Sequence, residues 1–354
     1  MRISRPVPSA RTATVTAVIP CYNYGHYLPQ AVASVLDQPG VAARVIVVDD
    51  CSTDDSLAVA QRLAAGDPRI TVLEHTVNAG HIATYNDGLD RVETEYVTLV
   101  SADDLVAPGA LERATALMNA RPRMGMVYGQ PVEFTDEPPT SDRDGVGPYT
   151  WTTWSGNAWI RLASARGRCF ILSPEVVMRT AAVRQIGGYN PLLPKSGDLE
   201  YWLRTASRFS VGRVNGRVQA FYRQHASNMH TTILPSMADD YRHRLLAFRY
   251  LESDDFPNPA LDGPALVRRA RRALAREALG VALRDLDGHG PSDAVEDLRT
   301  VAIEIWPGVT ATRRFRALES RLHGSGSTSM RLRAMLRSLA DRVRWRLWAL
   351  TGVS

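Results

Sequence analysis

The feature that most constrains this chain is an alternation, from Thr14 to Tyr128, of short β-branched apolar runs with amphipathic stretches. That is the pattern of βαβ units feeding a mostly parallel sheet, because each parallel pair needs a crossover long enough to hold a helix. The runs predict strands at 14–19, 44–49, 70–74, 96–100 and 125–128. Between them, Leu28, Val32 and Val35 fall on one helical face and Leu57, Ala60 and Leu63 on another, with Ser52 and Thr53 as caps of the second helix. A third helix fits 81–91, and a fourth opens at Pro108, a residue suited to a first helical turn.

After this half, 131–150 is rich in Pro, Gly, Asp and Thr and reads as an exposed loop, either a lid or an insertion. Residues 151–230 are Trp-rich and mixed, and from Leu234 the texture turns to Ala, Arg and Leu, the composition of helices. The expected organisation is an extension at 1–13, a domain at 14–235 with halves 14–128 and 151–230, a helical region at 236–323, and a linker with a basic amphipathic helix at 324–354. The overall class is α/β with a C-terminal α-helical region.

Hydrophobic and charged fractions of 45% and 22% exclude a disordered or fibrous chain. The net charge is +5 and Lys195 is the only lysine, a balance that suits a phosphate-bearing substrate, an anionic membrane or nucleic acid. Cys21, Cys51 and Cys169 have neither zinc-type spacing nor a paired pattern, which favours a reducing compartment. The N-terminus lacks a signal-like apolar core, and no stretch reaches ~18 apolar residues. A cytoplasmic protein is therefore expected. The last segment, RLRAMLRSLADRVRWRLWAL, carries six arginines against one aspartate. It is either an interfacial helix on the inner face of the plasma membrane or an ordinary packing helix.

Ligands of open α/β sheets bind outside the carboxyl ends of strands, and the polar clusters of this chain sit there. The first strand ends in IPCYNYGHYL, the second in VIVVDD with Asp49 and Asp50, and the fourth in YVTLVSADD with Asp103 and Asp104. No cation follows the last pair closely, and adjacent free carboxylates suit a hard divalent ion, Mn2+ or Mg2+, able to bridge a diphosphate. Further on, SGDLEYWLRTA places Asp198 in a glycine-marked turn, and FYRQHASNMH groups Arg223, His225 and Asn228 after an apolar run. Trp151, Trp154 and Trp159 either stack on a sugar acceptor or pack in the core.

In their order and spacing, TVTAVIPCYNYGHYLPQAVASVLDQ, VIVVDDCSTDDS, NAGHIATYNDGLD and EYVTLVSADD resemble the family 2 glycosyltransferases of the GT-A fold. The similarity runs over about residues 14–230 and implies a nucleotide-diphospho-sugar donor of UDP or dTDP type, a divalent metal and an inverting reaction. Carried over, Pro20 and Tyr22 line a base pocket, Asp50 with Asp49 beside it recognises the base, and Asn23 and Asn78 join the donor contacts. Asp103 meets ribose or metal, and Asp104 is the metal-binding last acid of the family's DxD signature, whose usual first acid is Ser101 here. Asp198 resembles the catalytic base, with Glu200 in reserve. Arg223 is expected on phosphate oxygens and His225 on the metal or diphosphate.

The acceptors implied are saccharides, lipid-linked saccharides or natural products, in the synthesis of cell-surface polysaccharides or glycoconjugates. A processive synthase is disfavoured by the missing QxxRW motif, and a dehydrogenase by the missing GxGxxG after the first strand. No nucleic-acid module accompanies the basic end, so no nucleic acid is expected. The alternative is a non-catalytic GT-A-fold module that binds a nucleotide sugar or acts as a scaffold. It is distinguished by whether Asp104 and Asp198 converge on one cleft.

Overall fold

The computed structural model describes residues 1–7, 11–137, 139, 148–226, 228, 236–290 and 292–323. In chain order the first half contains β1 (Arg2–Ser4), β2 (Ala13–Cys21), α1 (Leu28–Leu36), β3 (Val41–Asp49), α2 (Ser56–Gly66), β4 (Ile70–Glu74), α3 (His81–Asp90), β5 (Tyr96–Leu99), β6 (Leu105–Val106), α4 (Ala110–Ala120) and β7 (Met124–Phe134). The second half adds β8 (Thr150–Trp154), α5 (Gly156–Arg166), β9 (Val177–Arg179), α6 (Thr180–Ile186), α7 (Gly197–Arg208) and β10 (Ser210–Arg223). Four helices follow: α8 (Met237–Arg249), α9 (Gly263–His289), α10 (Asp293–Ile305) and α11 (Arg313–Leu322).

The strands form one sheet in the order β1-β8-β10-β7-β9-β5-β2-β3-β4, with β6 also paired to β10. Pairing is parallel among β5, β2, β3 and β4, as the βαβ pattern predicts. It is antiparallel from β5 to β9, from β9 to β7 and from β10 to β8, so the whole sheet is mixed rather than mostly parallel. Successive residues of β2 point to opposite faces. Val15, Ala17 and Ile19 join α1, α2 and α4 in one core, while Val18 joins α3, α5 and α7 in the other. The second core continues without a break into α8–α11, through Phe248, Leu274, Val301 and Leu318.

Several expectations change. Strand β7 runs on to Phe134, so the start of the expected 131–150 loop is sheet, and 140–147 lies outside the described residues. Helix α2 opens at Ser56 rather than at Ser52 or Thr53, and α4 at Ala110, after Pro108 and a left-handed Gly109. Trp151, Trp154 and Trp159 are all buried in the core and present no face to an acceptor. Among the described residues no helix is long and apolar enough to cross a membrane, and the expected tail helix at 324–354 lies outside them.

Close approach of α3 to the sheet positions the site. A side-chain carbon at Gly88 would come 2.3 Å from Val18 Cγ1, so only glycine lets the helix lie this near. The N-terminal turns of α3 thereby reach over the carboxyl ends of β2 and β3.

Candidate active site

A cleft of about 370 Å³ opens at those strand ends. Its lining includes Pro20, Tyr22, Asp50, Asn78, Asp103 and Asp104 from the sequence-based set. Behind it, Asn23, Asp49, Arg223 and His225 hold the walls.

Asn23 shows how the first wall is built. Its backbone is left-handed, at φ 60°, which asparagine tolerates better than most residues. Its side-chain oxygen accepts from the backbone N–H of Thr53 at 2.8 Å, the Thr53 hydroxyl at 3.2 Å and the Asp54 N–H at 3.3 Å. It therefore stitches the loop after β2 to the loop after β3, where Ser52 and Thr53 serve in place of capping α2. Asp49 serves the same turn: one carboxylate oxygen accepts from the Ser52 N–H at 3.0 Å.

Asp50 is fixed on three sides. One oxygen accepts from the Ala79 N–H at 2.7 Å and lies 2.8 Å from His75 Nδ1, and the other accepts from the Gly80 N–H at 2.9 Å. Burial alone would raise its pKa, but the bonds from His75, Ala79 and Gly80 outweigh it and hold the carboxyl below its ordinary value. Asp50 is thus an ionised, oriented acceptor. His75 Nε2 lies 2.9 Å from an Asp87 carboxylate oxygen.

Asp103 and Asp104 are held by the ladder between β6 and the end of β10, where Leu105 faces Phe221. This pairing brings Arg223 across from the acids. Its backbone N–H donates to Asp104 at 2.9 Å and its Nε to the Asp103 carbonyl at 2.9 Å. Its remaining nitrogens donate to the Asp136 carbonyl at 3.2 Å and Gln30 at 2.6 Å, with Tyr27 and Phe134 packed on the guanidinium. Arg223 therefore acts inside the wall, and its donors are directed at protein rather than into the cleft. His225 Nε2 sits 2.9 Å from Asp103, with its ring stacked on Tyr27.

One buried Asp104 oxygen has no hydrogen-bond partner among the described residues. Burial, then the Asp103 charge, pushes the Asp104 carboxyl well above its ordinary value. An orphaned carboxylate beside a second acid fits a divalent cation. Among the described residues no three His, Cys, Asp or Glu side chains gather to hold such an ion, so Asp104 and Asp103 would share it with donor oxygens and water. The cleft lining holds three carboxylates and, among the described residues, no lysine or arginine.

Asp198 is half-buried in the first turn of α7 and accepts from the Ser173 hydroxyl at 2.7 Å. Burial raises its pKa against the lowering effects of Ser173, Tyr189 and His81. Asp198 is not among the residues that line the cleft; its charge, after burial, raises Tyr85 of that lining and Tyr189, which packs edge-on against Tyr85 at 5.4 Å. Glu200, the reserve base, is buried in a two-pronged pair with Arg204, both contacts at 2.9 Å, and is turned from the cleft. Sequence inspection passed over His75, Gln30, Ser173, Tyr85 and Tyr222. Tyr85 alone left a local signal, four residues after His81 on the helical face that meets the strand ends.

Residues 16–170 match the family model for glycosyl transferase family 2. That stretch, less than half of the chain, is similar to glycosyltransferase family 2. Relatives of this chain include the putative teichuronic acid biosynthesis glycosyltransferase TuaG of Bacillus subtilis, 35% identical over 30% of this chain and 42% of that protein. The succinoglycan biosynthesis protein ExoO of Rhizobium meliloti is 34% identical over 28% of each chain. The match thus spans less than half the length of these curated relatives. Among solved structures, S. aureus TarS 1-349 in complex with UDP-GlcNAc superposes with a TM-score of 0.59 at 16% identity, covering 88% of this chain and 87% of that one, a likeness of fold.

Proposed function

We propose that the protein transfers a sugar from a nucleotide-diphospho-sugar, of UDP or dTDP type, to an acceptor hydroxyl with inversion, in cell-surface polysaccharide or glycoconjugate synthesis. One observation carries this reading: a single cleft joins a fixed, ionised Asp50 to the Asp103–Asp104 pair. The named biosynthetic relatives and the UDP-GlcNAc complex of TarS support the donor class and the pathway class.

In this proposal Asp50 accepts from the nucleobase, while Pro20, Tyr22 and Asn78 line its pocket. Asn23 and Asp49 hold the pocket loops. Asp103 and Asp104 would hold Mn2+ or Mg2+, which when bound supplies the positive charge that a diphosphate needs in a cleft lined by carboxylates. Arg223 and His225 keep the two acids in place. Asp198 takes the proton of the acceptor hydroxyl as that oxygen attacks the anomeric carbon opposite the departing diphosphate. Its raised pKa makes it a stronger base than an exposed aspartate. The acceptor is a saccharide, free or lipid-linked, or a natural product, and the basic tail at 324–354 would bring the enzyme to the inner face of the plasma membrane.

The test is calorimetric binding and hydrolysis of UDP- and dTDP-sugars, with and without Mn2+, on wild type, Asp104→Asn and Asp198→Asn. Metal-dependent binding lost in Asp104→Asn, with binding kept and turnover lost in Asp198→Asn, is expected. Binding without turnover in the wild type would favour the non-catalytic module, and no binding at all would end the donor assignment.

A further inference from the structure

The helical region 236–323 is balanced in charge, with 14 arginines against 14 aspartates and glutamates. The charges are not evenly mixed, however. Arg242, Arg244, Arg299 and Arg321 are ion-paired. Arg268, Arg269, Arg272 and Arg276 of α9, with Arg313 and Arg314 of α11, are exposed and have no carboxylate partner among the described residues. On a helix that turns roughly 100° per residue, the four on α9 fall within an arc of about 100°.

The two helices bring these charges together. Arg314 donates to the Arg276 carbonyl at 3.0 Å, which docks the start of α11 against α9. Beside them, guanidinium nitrogens of Arg284 and Arg314 both come within 3.9 Å of the point a side-chain carbon at Gly280 would occupy. Arg272 and Arg276 lie over the half-buried Trp306 ring, at 5.7 and 5.5 Å from its centre. Like charges gathered this way repel unless an anion neutralises them, and a charge-balanced region had acids enough to disperse them.

We propose that this arginine face of α9 and α11 docks the protein on an anionic phospholipid surface, with guanidinium groups meeting headgroup phosphates. A helix face some 12 Å long between Arg268 and Arg276, at ~1.5 Å per residue, suits a flat polyanion. A single-stranded nucleic acid would call for exposed aromatic rings, and the aromatic ring here is covered by its arginines. The six arginines that follow in the sequence add to the same attraction. Each arginine near an anionic bilayer contributes about fivefold to partitioning. The inference stands apart from the transferase proposal, since it involves no residue of the cleft.

Full-length protein is sedimented with vesicles of phosphatidylcholine, alone or mixed with phosphatidylglycerol. Wild type is expected to bind the mixed vesicles alone and to be released at high salt. The combined variant Arg268→Gln, Arg269→Gln, Arg272→Gln, Arg313→Gln should lose at least about tenfold in partitioning. The matching lysine variant should keep binding, which separates charge from misfolding. A glutamine variant that binds like wild type, or a wild type that ignores the mixed vesicles while binding a short duplex nucleic acid, would overturn the proposal.

Discussion

The residues that carry charge divide by how burial treats them. Asp198 has its pKa raised by burial, so turnover should climb with pH along a limb lying above the ordinary carboxylate range, then level off. Asp198→Asn should lose about 10²–10⁴-fold in kcat with little change in donor affinity, checked by steady-state kinetics against direct binding. Glu175 offers a stability counterpart away from the cleft. It is buried, and burial raises its carboxyl well above the usual value despite the nearby Arg213 charge. A raised folded pKa means the native state holds the proton longer than the unfolded chain, so this group costs stability as pH rises from about 4 through its folded pKa. Glu175→Gln keeps an acceptor for the Leu172 N–H, so its melting temperature should gain on wild type as pH rises from about 4 to 8. A gap that stays flat across that range would refute the assignment. Of these groups, the place of Asp198 in the opening turn of a helix was legible in sequence from its glycine-marked turn, whereas the burial of Glu175 was not, because its environment is assembled from β10 and β7, far away in the chain.

At the scale of elements, legibility followed locality. The strand expected at 70–74 is β4, and the helix expected at 81–91 is α3, because period and breakers lie within each segment. The extension of β7 to Phe134 escaped notice because its partner is β10: Val132 and Phe134 face Phe221 and Arg223. The same remote pairing decides Arg223, which looked in sequence like a phosphate ligand and lies buried as a clamp on both acids, Gln30 and Asp136. Arg223→Ala would leave Gln30 and two carbonyls short of donors and remove the packing on Tyr27 and Phe134. It should cost about 2–4 kcal/mol in urea unfolding and weaken donor binding by shifting Asp103 and Asp104. Unchanged stability would show that water replaces the clamp.

Over the whole molecule, the change of texture near Leu234 was plain in the sequence, but whether it marks a separable unit depends on contacts no local pattern reveals. The structure runs one apolar core through both parts: Trp159 and Ile160 of α5 and Leu199 and Trp202 of α7 belong to the same cluster as Phe248, Leu274, Leu279 and Val301. Asn258 adds a polar tie, donating to Asn157 at 2.6 Å and to the Ser207 carbonyl at 3.3 Å. Cutting the chain at 235 would strip α8–α11 from α5 and α7, uncovering side chains worth roughly 1.5–3 kcal/mol each when fully buried. A handful of these equals the whole stability of an ordinary domain, about 5–15 kcal/mol. Because α7 carries Asp198, loss of this support would reach the proposed base before it reached Asp50, which is held by α3 and the parallel strands. Fragment 1–235 is therefore expected to be insoluble or to melt far below the full chain in calorimetry. If it stayed soluble, its amides in 156–208 should exchange much faster than those of β2 and β3. Protection of 156–208 equal to that of the full chain would mean that the first 235 residues hold their own core and that the helices are an addition to it.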